Sequence, residues 1–130
     1  MYCTRCKTTK GLMPKPYSRY KNKGYYMCRN CNATRLKAYY RKCKQKVYEH
    51  YGKICACCGE TEENFLSIDH VNNDGYSHRW KNGNRVVGSP LYVQVMQMGY
   101  PNSFQILCMN CNFGKRMNDG ICPHKNKQFA

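Results

Sequence analysis

The chain has 130 residues, enough for one domain or two very small ones. Its formal net charge of +15 makes an anionic polymer the natural partner, and nucleic acid comes ahead of a membrane surface because no amphipathic apolar face is evident. No run is long or apolar enough to span a bilayer, and Met1-Tyr2-Cys3-Thr4-Arg5 enters a cysteine motif with no apolar segment behind it, so no signal peptide is expected. Aliphatic runs are scarce and the tyrosines are too amphipathic to make a dry interior alone. Small domains of that kind use metals or disulfides as cross-links, and eleven cysteines are present. Their Cys-x-x-Cys grouping favours zinc in a reducing compartment, the cytoplasm, over a disulfide framework. Two four-thiolate zinc sites would lower the charge only to about +11. The plain alternative is a soluble basic protein with no particular partner.

In chain order, Cys3-x-x-Cys6 and Cys28-x-x-Cys31 form the first zinc candidate, with 21 residues between the pairs. Four thiolates leave no open position on a tetrahedral zinc, so this site is structural. Met13-Pro14-Lys15-Pro16 and Asn22-Lys23-Gly24 read as turns, and Tyr25-Tyr26-Met27 as a short strand. From Asn32 to Tyr51 there is neither proline nor glycine, which predicts a helix ended by Gly52. It carries Arg35, Lys37, Arg41, Lys42, Lys44 and Lys46 among Leu36, Tyr39, Tyr40, Val47 and Tyr48. Such a segment suits phosphate contacts with base stacking, or it simply joins two modules with its tyrosines packed inward. Residues 1–52 are thus expected to form a zinc-knuckle module with a basic helix.

A second unit is expected over 53–118. Its zinc candidate is Cys55-x-x-Cys58 with Cys108-x-x-Cys111, which ties the base of a 49-residue excursion. Cys57 reads as a spectator and Cys43 and Cys122 have no assignment; Cys122-Pro123-His124 is a candidate contributor to a further metal site, although two ligands alone are too few to hold one. Ser67–Val71 and Phe104–Leu107 read as partner strands, and Asn110–Met117 as a helix. Residues 72–103 form a long insertion, with a short helix from Pro90 to Met98 bearing Leu91, Val95 and Met98 on one side. Residues 119–130 read as a polar tail. The two zinc modules rhyme without being a repeat.

Ile68-Asp69-His70 and Phe104-Gln105-Ile106-Leu107-Cys108-Met109-Asn110-Cys111-Asn112-Phe113-Gly114-Lys115, with the two knuckles, carry a resemblance. Over about residues 53–118 the chain resembles the HNH endonucleases of the ββα-metal class. More loosely, its N-terminal module resembles the basic zinc-knuckle arm of small phage and mobile-element members. The resemblance implies a small zinc-stabilised α+β protein, with a ββα-metal core behind a DNA-binding arm. It implies His70 as the general base, taking a proton from the water that attacks phosphorus. Asp69 and Asn112 would hold a catalytic Mg²⁺, with Mn²⁺ as a substitute, beside two structural Zn²⁺. Asn112 could instead cap the last helix.

Double-stranded DNA is the implied substrate, nicked by a monomer, in the host cytoplasm if a phage encodes the chain. Arg35, Lys37, Arg41, Lys42, Lys44, His78, Arg79, Lys115 and Arg116 are the candidate DNA contacts. His78 and Arg79 could equally belong to a solvated loop, and Lys115 and Arg116 to an exposed helix face. One departure stands out: many members have Asn immediately before the Phe/Leu-Gln segment, where this chain has Ser103 after Asn102. Two other readings stay open, a non-catalytic zinc module binding DNA or RNA and a ribosome-associated basic protein. Because successive residues of a regular strand face opposite ways, Asp69 and His70 share a site only at a strand end or bulge.

Overall fold

The structure, a computed structural model, describes residues 1–13 and 26–127, without the side chains of Tyr76, Asn126 and Lys127. The turns expected at Pro14-Lys15-Pro16 and Asn22-Lys23-Gly24, and Tyr25 of the expected strand, lie outside the described residues. The chain is α+β and divides into two compact units, Met1–Arg41 and Lys42–Ala130. The division falls inside the basic helix. No described helix is long and apolar enough to cross a membrane.

In the first unit, isolated bridges join Cys3 to Tyr26 and Leu12 to Cys28. The chain turns sharply after Cys6: Lys7 takes a left-handed backbone (φ 65°) and its N–H returns to the Cys3 carbonyl at 2.8 Å. Helix α1 (Arg29–Tyr51) begins three residues before the expected start. Its first turn is capped by a thiol, with Cys31 N–H donating to Cys28 Sγ at 3.4 Å. Gly52, at φ 92°, ends the helix as expected.

The second unit is built around an antiparallel pair, β1 (Leu66–His70) and β2 (Phe104–Cys108). The register runs from Leu66 opposite Cys108 to His70 opposite Phe104. Helix α3 (Met109–Met117) leaves β2 without a linker and packs on both strands. Cys108 caps it as Cys28 caps α1, its Sγ accepting from Cys111 N–H at 3.4 Å. Leu66, Val86, Val95, Ile106 and the last turns of α1 (Val47, Tyr48) are almost fully buried. Each such side chain contributes roughly 1.5–3 kcal/mol of burial. Tyr48 enters this interior because its hydroxyl donates to the Leu66 carbonyl at 2.7 Å, so no buried polar group is left unmatched.

The insertion between the strands has secondary structure of its own. It contains a 3₁₀ turn (Gly75–Ser77), a bridge between Arg79 and Arg85, and helix α2 (Ser89–Gln97). Leu91 and Val95 of α2 are buried, but Met98, expected on the same side, lies past the helix end and is exposed. The expected polar tail also needs correction. Cys122 is buried in the core, and helix α4 (Pro123–Lys127) packs against α3. Gly114 permits this close approach, since a Cβ there would meet Pro123 Cδ at 3.0 Å.

Candidate active site and metal centres

The cysteines gather as tetrahedral coordination requires. Cys3, Cys6, Cys28 and Cys31 bring their sulfurs within 4.8 Å of one another, and so do Cys55, Cys58, Cys108 and Cys111. A zinc with bonds of about 2.3 Å places its sulfurs about 3.8 Å apart. The Cys6–Cys28 and Cys58–Cys108 pairs are each 3.6 Å apart. Both groups could hold a metal ion and are consistent with structural zinc. Gly59, left-handed at φ 81°, occupies the position after the knuckle that Lys7 takes in the first unit.

Protons are shared unequally within each group. Backbone hydrogen bonds from Cys28 and Cys6 pull Cys3 down to about 6, while hydrogen bonding to the Cys6 and Cys28 thiols pushes Cys31 up to about 12. Burial pushes Cys55 up, but backbone hydrogen bonds from Cys58, Cys108 and Cys57 outweigh it and leave about 7. Burial, then the thiols of Cys108 and Cys58, push Cys111 strongly up. Cys122 and His124, too few by themselves, gain two partners in space: Cys57, read as a spectator from its spacing, and Cys111 lie with them within the same 4.8 Å.

Asp69, His70 and Asn112 all line one open cavity of about 790 Å³. His70 is the last residue of β1, which meets the strand-end condition for sharing a site with Asp69. Its ring lies between Phe104, 4.7 Å away between centroids, and the turn at Gly75. Burial is the largest cause lowering the His70 pKa below its ordinary 6.5, with Asp74 opposing and His78 assisting.

The tautomer of His70 follows from two hydrogen bonds. His78 Nε2 is 2.6 Å from Gln94 Oε1, which can only accept, so His78 carries its proton on Nε2. The other ring nitrogen of His78, Nδ1, lies 3.2 Å from His70 Nε2 and, as the acceptor of that pair, assigns the proton to His70 Nε2. The basic lone pair of His70 is left on Nδ1. A Cβ at position 75 would sit 2.9 Å from that nitrogen, so the glycine keeps it accessible. Gly75 lines the same cavity.

Asp69 is held from two sides. Its Oδ2 accepts from Lys115 Nζ at 2.6 Å and from Gln105 Nε2, directly across the sheet, at 2.9 Å. Asn112 donates through Nδ2 to Ser67 Oγ at 3.0 Å and does not cap α3, a role that falls to Cys108. Asp69 and Asn112 both line the cavity, and among the described residues neither Oδ1 of Asp69 nor Oδ1 of Asn112 makes a hydrogen bond. Carboxylate and amide oxygens are the ligand types that a divalent ion completed by water would take. Lys115 is the feature that opposes it, a positive charge already on the carboxylate.

Several expected contacts are placed differently. Lys115 does not fit an expected phosphate contact: it is 5% exposed and bonds Asp69 and the His70 and Val71 carbonyls. His78 has both ring nitrogens engaged and none spare for phosphate or metal. Neither Asn102 nor Ser103 gives His70 a side-chain hydrogen bond among the described residues, although the Ser103 carbonyl accepts from Val71 N–H at 2.9 Å.

Arg116 and Arg85 line the cavity and are exposed, with Arg116 lying 5.4 Å over the Phe113 ring. Arg79 is exposed and uses one N–H on the Gly83 carbonyl. On α1, Lys37, Arg41, Lys42 and Lys46 are exposed, Arg35 reaches Asn32, and Lys44 lies 5.2 Å over the Tyr48 ring. Gln94, Gly75 and Arg85 join the site without having been anticipated. Asn73-Asp74-Gly75 carried a turn signal that could have marked Gly75, whereas nothing local marks Gln94. No family model matches the chain, and no curated protein or solved structure matches it.

Proposed function

We propose that the chain is a metal-dependent HNH endonuclease that hydrolyses DNA phosphodiester bonds. The observation that supports it most directly is the convergence of Asp69, Asn112 and a neutral, oriented His70 on one cavity edged by arginines. In this reading His70 Nδ1 accepts the proton of a water that attacks phosphorus in line. His78 and Gln94 hold the ring in the tautomer that leaves Nδ1 basic. Asp69 and Asn112 would hold the divalent cation, which supplies charge neutralisation at the scissile phosphate and at the leaving oxygen. Arg116 and Arg85 draw the backbone into the cavity. One such centre cuts one strand per encounter, so a monomer nicks. The zinc-bound cysteine groups and the exposed basic residues of α1 serve as scaffold and DNA-binding arm.

The rival reading is a zinc-dependent module that binds DNA or RNA without cutting. The ion pair of Lys115 with Asp69 favours it, because that carboxylate already has a cation. Incubating wild type and His70→Ala with supercoiled plasmid and Mg²⁺ separates the two. Nicking that is lost in the variant supports the nuclease. DNA binding by both without any nicked product supports the binding module.

A further inference from the structure

Eleven cysteines exceed the eight that two four-thiolate sites use. Among the described residues Cys43, buried on α1, joins no metal group, whereas Cys57 and Cys122 share one. The knuckle turn brings Cys57, the first turn of α3 brings Cys111, and the start of α4 brings Cys122 and His124. Their four ligand atoms lie within 4.8 Å of one another. His124 Nδ1 is 3.2 Å from Cys111 Sγ and 3.5 Å from Cys122 Sγ. A tetrahedral zinc with bonds of about 2.0–2.1 Å to nitrogen and 2.3 Å to sulfur separates those ligands by about 3.5 Å.

Cys111 also completes the group of Cys55, Cys58 and Cys108. We propose that the second unit carries a binuclear zinc–thiolate cluster in which Cys111 bridges the two ions. Two four-coordinate zincs offer eight positions, and the seven side chains of the two groups fill them only if one thiolate serves twice. Cys111 is the residue common to both groups, and it is completely buried. Each thiolate of the second ion comes from a different element, so the ion pins α4 and the C-terminal segment to α3 and the knuckle turn. The added dication and the two added thiolates cancel in charge. Isoelectric behaviour is therefore blind to the second ion, and mass is not.

The experiment is native mass spectrometry of the full chain purified with zinc, comparing wild type with His124→Ala and Cys57→Ser. His124 is exposed near the chain end, so its loss leaves the core packing intact. The expected result is one zinc fewer in each variant than in wild type. In cadmium-113 protein, the Cys111 Hβ protons should couple to two cadmium nuclei. An unchanged metal count in His124→Ala, or Cys111 coupled to a single cadmium, overturns the proposal. So does a wild-type mass showing a Cys57–Cys122 disulfide in place of the extra ion.

Discussion

A histidine works as a base only if it is neutral, correctly protonated and reachable, and at His70 three neighbours supply these conditions separately. Burial beside Phe104 keeps the ring neutral, the His78–Gln94 pair sets the tautomer, and Gly75 leaves Nδ1 open. Gly75→Ala places a methyl against that nitrogen and forces the ring to shift. With misplacement on this scale costing roughly 10²-fold, plasmid nicking should fall by about that factor while the thermal midpoint stays near wild type. An unchanged rate would show that Nδ1 is not the reacting atom.

The same burial predicts a titration. In zinc-loaded protein without Mg²⁺, NMR should place the His70 pKa below the ordinary 6.5. Above 6.5 the folded and unfolded chains are both neutral at this residue. As pH falls below 6.5 the unfolded chain takes the proton first, so stability declines until the folded pKa is passed. A His70 that titrates above 6.5 would reverse the sign of this contribution.

Among the elements, α3 is joined to β1 mainly through Lys115, whose ammonium bonds Asp69 and two successive carbonyls at the strand end. Lys115→Met keeps the volume but strands the Asp69 carboxylate, 8% exposed, without its cation. Breaking a buried pair from one side costs about 3–5 kcal/mol, and urea unfolding at neutral pH should show a loss of that order. If Asp69 also serves a divalent ion, added Mg²⁺ should restore part of the loss.

The elements themselves were legible. Leu66-Ser67-Ile68-Asp69-His70 alternates apolar and polar residue types, and the gap-free run to Tyr51 could hardly be other than helix. What could not be read was the meeting of distant turns. Lys115 looked like a surface lysine because its charge spoke for water, and only the register of β1 against α3 gives it Asp69. Gln94 sits on a helix whose spacing was legible, but its meeting with His78 depends on the path of the insertion, and the short helix that carries His124 leaves no periodic signal. The tail looked polar because its few apolar residues, Cys122 among them, show no helical spacing.

For the whole molecule, a metal held by the cysteine groups would decide whether the second unit folds. Structural zinc contributes about 10–16 kcal/mol in small domains, comparable to or above the entire stability of a typical domain, about 5–15 kcal/mol. Chelation should therefore unfold the second unit and not merely loosen it. Circular dichroism during EDTA treatment should show loss of helix, with recovery on returning zinc. Retention of the full signal after complete metal removal would mean that the core of Leu66, Ile106, Val47 and Val95 suffices alone.

The join between β2 and α3 carries a consequence for how the chain is made. Cys55 and Cys58 leave the ribosome about fifty residues ahead of Cys108, so the first knuckle must wait, thiols reduced and unpaired, through synthesis of the whole insertion. Asn112 follows Cys111 directly. The last ligand that closes the metal site is thus made immediately before the last oxygen of the proposed catalytic set. Neither the four-thiolate group nor the proposed catalytic set can be complete before β2 and the start of α3 have been made.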